Sequence, residues 1–287
     1  MGNNRLHAFR FFDFLARSHR SNVILRMRKL VKVVIPLYKE ELDDVEIAVI
    51  RNNLDVLKNR KICFLMPERM DISKIKPYLG SAEVKEVSSD WLGRKRGFVG
   101  YNEMLTSPDF YSMFSGYEYI LICHTDAWIF RDELDEWCSK GYDVVAAPWL
   151  MRRRYMFGPL HWQMCYRKWR AEQRDGIHRV HLYGKIGNGG LTLRRVDIFR
   201  KLCVENASEI AAFLSKGCNP YNEDVYFALF PKNLRRPTQS EAMKFSFDTK
   251  PRELFKRNHN KLPMGCHGFM HESRKLFWSR FIPALSR

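Results

Sequence analysis

Four short apolar runs, separated by stretches with helical spacing, limit what this chain can fold into. Residues 30–38 read LVKVVIPLY, 61–67 KICFLMP, 119–124 YILICH and 143–149 DVVAAPW. They are mostly apolar and rich in β-branched residues, as strands buried on both faces are. Asp43 and Asp44 open a helical stretch that carries Val45, Val49, Leu54 and Leu57 on one side. Residues 83–87 predict a further strand and 96–105 a helix. A short helix over 132–139 stops at Gly141. Such alternation predicts a mostly parallel, doubly wound α/β sheet with right-handed connections and its site along the strand ends.

The 287 residues, 45% of them hydrophobic, suffice for one large domain or two small ones. A net charge of +17 implies an anionic partner: nucleotide phosphates, nucleic acid or an acidic membrane surface. Seven scattered cysteines, none in CxxC spacing, read as reduced core thiols of a cytosolic protein. No apolar run reaches the ~18 residues of a membrane span, and the N-terminus lacks the pattern of a signal peptide.

Residues 1–29 form a basic, aromatic-rich extension, and 271–287 repeat that character around Phe277, Trp278 and Phe281. Both ends fit a helix lying on a membrane surface or one packed on the domain between them, 30–270. Within it, 150–185 carry nine Lys or Arg against two acids, plus Trp162 and Trp169. That stretch reads as an insertion, serving as a lid or an acceptor surface.

Four places could carry chemistry. His124-Thr125-Asp126 follow the 119–123 run directly. A carboxylate there suits a divalent cation, or simply caps a turn. The GNGG turn at 187–190, with Asn188, Gly189 and Gly190, lets backbone approach a ligand and lacks the GK[ST] of a P-loop. Glu223 and Asp224 stand at a helix start behind Asn222 as N-cap. Carboxylates are favoured there, and one held beside a pocket can act as a general base. His267, in a Gly-bounded loop, is the best candidate for a second metal ligand.

The order of these parts resembles glycosyltransferases of the GT-A fold, most closely the inverting β-1,3-galactosyltransferase and fringe-like group. It also looks like an uncharacterised bacterial family of predicted polysaccharide glycosyltransferases. The resemblance spans roughly residues 30–270. It implies a GT-A (Rossmann-like) mixed sheet flanked by helices, with Asp126 and His267 as metal ligands and His124 in place of the first acid of a DxD triplet. It further implies that Gly189 and Gly190 line the donor sugar and that Asp224, with Glu223 beside it, is the base. Pro36, Leu37, Tyr38 and Glu68 would lie in the nucleoside region, with Thr125 and Asn188 near the donor. The implied cofactor is Mn2+ (or Mg2+). Because His124 removes a negative charge, basic residues of 150–185 would carry more of the diphosphate.

The expected activity is inverting transfer of a sugar from a nucleotide-diphosphate donor to a glycan or lipid-linked acceptor in surface polysaccharide synthesis. The expected location is the cytoplasm, peripheral on the inner face of the cell membrane. A nucleotidyltransferase is the rival enzyme, but Pro36-Leu37-Tyr38-Lys39 replaces the Gly-rich loop it wants after its first strand. A nucleic-acid-binding protein would fit the pI of 9.7, yet no helix-turn-helix, zinc-finger or RRM signature supports it, so no nucleic acid is expected. An inactive, glycan-binding relative is the remaining alternative.

Overall fold

A computed structural model describes residues 29–93, 95–174, 176–217 and 219–285. The expected extension at 1–29 lies outside them, apart from Lys29. In chain order the elements are β1 (Lys29–Pro36), α1 (Asp44–Val56), β2 (Lys61–Pro67), β3 (Glu83–Val87), α2 (Gly97–Leu105), α3 (Pro108–Ser112), β4 (Tyr117–Cys123), β5 (Ala127–Ile129), α4 (Leu134–Ser139) and β6 (Val144–Ala146). Then come α5 (Pro159–Glu172), β7 (Leu191–Arg195), α6 (Val196–Glu205), α7 (Ala207–Leu214), α8 (Glu223–Leu229), α9 (Gln239–Phe245), β8 (Ser246–Phe247), α10 (Pro251–Arg257), β9 (Gly265–His267) and α11 (Glu272–Trp278).

The main sheet has the order β3-β2-β1-β4-β7-β6. β1 pairs in parallel with β2 and β4, and β7 is antiparallel to its neighbours β4 and β6. Along β1, Val31, Val33 and Ile35 enter one core cluster and Val34 the opposite one. In β4, Tyr119, Leu121 and Cys123 face the first cluster, Ile120 and Ile122 the second. With both faces buried, neither strand needs polar alternation, which explains the continuous runs. β1 is followed outward by β2 and β3, whereas β4 lies on its other side. The order therefore reverses between β1 and β4, the place where ligand crevices open beyond the carboxyl ends of strands.

The structure refines the sequence reading at three points. The strand expected over 143–149 shortens to Val144–Ala146, because Pro148 has no N–H for a ladder and makes only an isolated bridge to Ile186. The apolar run after Asp126 does not join the main sheet. It becomes β5, in a second sheet of order β5-β9-β8. The C-terminal aromatics are core rather than surface: Phe277, Trp278 and Ile282 are buried in a cluster with Trp128, Phe247 and Phe269. Their ring area is better removed from water than left in it.

α1 shows how local sequence sets up this frame. Asp43 and Glu46 form a reciprocal capping box, Glu46 N donating to Asp43 Oδ1 at 2.8 Å and Asp43 N to Glu46 Oε2 at 3.1 Å. The helix then buries Val49, Ile50 and Asn53.

Candidate active site

β4 hands the chain to the site. The backbone turns at once, with Ala127 N donating to His124 O at 3.0 Å. β5 pairs with β9 in the register Ala127↔His267, so Asp126 comes to lie beside His267. Gly268 N donates to Asp126 O at 3.0 Å. The other edge of β5 meets no strand. There the carboxamide of Asn53 donates to Ala127 O at 2.8 Å and accepts from Ile129 N at 3.0 Å. Buried backbone groups need partners, and this one side chain supplies two, fixing the strand that carries Asp126.

His124, Asp126 and His267 converge, one ligand atom from each lying within 4.8 Å of the others. His267 Nε2 is 3.1 Å from Asp126 Oδ1, and His124 Nδ1 is 4.0 Å from the same oxygen. The far ring nitrogens are engaged too. His124 Nε2 lies 2.6 Å from the Tyr101 hydroxyl. His267 Nδ1 lies 3.0 Å from Asp248 Oδ2, and Arg274 Nη1 donates to Asp248 Oδ1 at 2.7 Å. An imidazole whose second nitrogen is held by a carboxylate or hydroxyl is how proteins orient metal-binding histidines.

The charges of His124 and Asp126 agree with that role. Burial and the neighbouring His267 push His124 down to about 4, which leaves it neutral with a free lone pair. Burial alone would raise Asp126, but the His267 hydrogen bond and the two imidazoles hold it at about 2. Burial would lower His267, yet hydrogen bonds to Asp126 and Asp248 raise it to about 10, so a metal would have to displace the proton on its Nε2. Two imidazole nitrogens and one carboxylate oxygen suit a first-row transition ion better than Mg2+, which prefers oxygen ligands throughout.

The GNGG turn threads beside this triad. His124 N donates to Gly190 O at 2.9 Å, and Asn188 Oδ1 accepts from Gly190 N at 3.2 Å. A Cβ on Gly190 would stand 2.0 Å from His267 Nε2, and one on Gly189 would stand 2.8 Å from Glu223 Oε1 and 3.5 Å from Asp224 Cβ. Both glycines are thus required by close approach. Gly190→Ala is expected to displace the His267 ring, abolish any manganese-dependent rise in Tm, and destabilise the fold by ~1–3 kcal/mol. Thermal denaturation with and without MnCl2 checks both effects.

On the Gly189 side, the two acids part company. Glu223 is buried and paired with Arg194, whose Nη2 lies 3.0 Å from Oε2. Arg194 Nη1 donates to the Tyr111 hydroxyl at 2.9 Å. Glu223 is therefore held in an ion pair rather than presented to a ligand. Its N–H is capped from α2 by Asn102 Oδ1 at 3.1 Å, so Asn222, although at the N-cap position, does not cap its own helix. Asp224, one residue on, is rotated by about 100° around the helix. It is only partly buried, and the nearby Arg194 is paired with Glu223 instead. Its Oδ1 accepts from Val225 N at 2.8 Å. Burial and the Glu223 charge raise it to about 7.

The nucleoside-region residues fare unevenly. Pro36 and Leu37 sit at the end of β1 but are buried. Leu37 belongs to the core, and its N–H donates to Leu65 O at 2.8 Å. Neither side chain is free to touch a ligand. Tyr38 and Glu68 are exposed at the same edge, and Thr125 is half-buried between His124 and Asp126. Sequence reasoning missed Tyr101, Asp248, Arg274 and Asn53. Asp248 alone left a trace, a carboxylate closing the short Phe-Ser-Phe stretch at 245–247, as Asp126 follows β4. The others carry no local signal.

A family model described as "Protein of unknown function (DUF5672)" matches residues 81–267. No curated protein matches the chain. Among solved structures, the galactosyltransferase LgtC in complex with donor and acceptor sugar analogs is 12% identical, with a TM-score of 0.52 over 88% of this chain and 91% of that one. An active-site mutant of LgtC gives 12% and 0.52 over 89% and 95%. Core-mannan synthase A from Aspergillus fumigatus, in its Mn/GDP form, is 9% identical, with a TM-score of 0.46 over 73% of this chain and 72% of that one. The fold is that of the GT-A glycosyltransferases.

Proposed function

We propose that this chain, which belongs to the family described as Protein of unknown function (DUF5672), is a glycosyltransferase that uses a nucleotide-diphosphate sugar. One observation carries the reading. Two adjacent glycines, Gly189 and Gly190, bring a partly buried carboxyl poised near neutrality to one side and a His-Asp-His triad to the other. Both sit beyond the carboxyl end of β4, in a fold shared with LgtC, which was solved with donor and acceptor sugar analogs.

Asp224 would accept the proton of an acceptor hydroxyl as that oxygen bonds to the anomeric carbon, while the bond from that carbon to the diphosphate breaks and the nucleoside diphosphate departs. A base acting on the acceptor supports a single displacement, hence inversion. His124, Asp126 and His267 would hold Mn2+, which when bound supplies positive charge for the leaving diphosphate. Gly189 and Gly190 leave room for the donor sugar, and Tyr38 and Glu68 stand where a nucleoside could lie.

Cations for phosphates stand nearby. Arg152, Arg167, Arg179 and His178 line a cavity of about 260 Å3 together with Tyr155 and Tyr183. Arg179 and Tyr183 also border the crevice that holds Lys250, two residues from Asp248. Burial pushes Lys250 down to about 8, with Arg152 and Arg179 adding to the effect against Glu253. This cavity suits the donor diphosphate or a phosphorylated, lipid-linked acceptor of surface polysaccharide synthesis.

Two imidazoles and a carboxylate are also the donor set of non-haem iron oxygenases; the fold and the placement of Asp224 favour the transferase. A thermal-shift panel of nucleotide diphosphates and nucleotide sugars, with MnCl2 or MgCl2, tests the reading. One nucleotide is expected to raise Tm by roughly 5 °C or more at saturation with Mn2+, less with Mg2+, and not in Asp126→Ala. Stabilisation by Fe2+ and no nucleotide would overturn it.

A further inference from the structure

Among the described α-helices, α5 is the one with no buried residue. Trp162, Tyr166 and Trp169 are 72%, 55% and 55% exposed. Their spacing confines them to an arc of about 60° on one face, and the Tyr166 and Trp169 rings lie 5.8 Å apart. Just before the helix, Phe157 is 81% exposed. The opposite face, through Gln163, Met164 and Arg167, lines the cation-rich cavity. The aromatic ridge therefore points away from the body of the protein.

An aromatic ridge of this size left in water marks an interaction site. Its charge setting selects the partner. Residues 150–174 hold seven Lys or Arg and one acid, Glu172. Glu172 is already engaged, 3.4 Å from His181 and 3.9 Å from Lys168. A second copy of the chain would bring like charge against like charge across a two-fold interface. An anionic bilayer answers both features at once. Trp and Tyr settle at headgroup depth, and Lys and Arg on the flanks meet lipid phosphates.

We propose that α5, with the preceding Phe157 and the exposed Arg153 and Arg154, is a membrane-docking helix that seats the protein on an anionic lipid surface. No helix among the described residues is long and apolar enough to cross a membrane, so the association is a surface one. It stands apart from the transferase reading, since no residue of the triad and neither Asp224 nor Glu223 takes part.

The test is co-sedimentation of the full chain with phosphatidylcholine vesicles, with and without phosphatidylglycerol, beside a Trp162→Ser/Trp169→Ser double variant. Both side chains are exposed, and an unchanged Tm confirms an intact fold. The wild type is expected to bind the anionic vesicles at least ~10-fold more tightly than the neutral ones, and the double variant to lose ~10-fold or more. Equal binding by variant and wild type would assign any membrane affinity to other segments and overturn the proposal. So would no binding to either vesicle, or a self-associated wild type that the variant dissociates. Asp224→Asn should bind vesicles as wild type does, which separates this result from the fate of the catalytic reading.

Discussion

Replacing Asp224 by Asn is expected to cut sugar transfer by ~10³-fold or more while leaving the protein folded, because a positioned general base contributes about 10²–10⁴. The assay is release of nucleoside diphosphate from whichever sugar donor the thermal-shift panel selects. In the wild type, kcat/KM should rise with pH through about 7 as the carboxyl ionises, and the variant should lose that limb. The same substitution should stabilise the fold. The sign follows from linkage: the carboxyl titrates near 3.8 when unfolded and near 7 when folded. Between those values the native state binds more protons, so stability falls as pH rises across the window. Asn removes the ionisation, and Tm at pH 8 should increase by a few degrees, with little change at pH 4. Unchanged transfer in Asp224→Asn would remove Asp224 as the base and inversion with it.

Arg194→Met should be the most destabilising single change in the site, at about 3–5 kcal/mol near neutral pH, since it strands the buried Glu223 charge. It also takes a partner from the Tyr111 hydroxyl. Burial already raises Glu223 and Arg194 opposes that rise. Without Arg194 the carboxyl will protonate more readily. The cost should therefore shrink as pH falls and grow above the unfolded value of 4.5. Pairing Arg194→Met with Glu223→Gln should recover most of the loss, because it removes the uncompensated charge. Urea midpoints of the wild type, both single variants and the double variant at pH 5 and pH 8 decide the matter. Near-additive losses would show that the ion pair does not anchor α8.

The candidate site was legible in the sequence where a residue's place along the chain marks it out. His124 and Asp126 lie directly after a buried run, Gly189 and Gly190 are adjacent, and Asp224 opens a helix. Each could be named from strand ends, turn chemistry and helix starts. Glu223 shows the limit. Sequence placed it beside Asp224 as a second catalytic acid, but one helical step turns it toward Arg194, whose partner could not be read from its own neighbourhood. Leu37 shows the same limit, since a residue at a strand end points either to the ligand or to the core, and packing against α1 and β2 decides which.

What the sequence determined by itself is five of the six strands of the main sheet, β7 excepted, and the acids, histidines and glycines available to it. Apolar periodicity and turn chemistry are local, and local spacing is what a linear chain records. The tertiary structure decided which of those residues meet. His267 comes to Asp126 from 141 positions away because β5 pairs with β9. Asp248, Arg274 and Tyr101 then fix the imidazoles from three separate segments. The aromatics of α5 and of α11 look alike in sequence, yet one set is exposed and the other buried. That choice belongs to neither segment alone, because it depends on how much apolar surface the rest of the fold leaves to be covered.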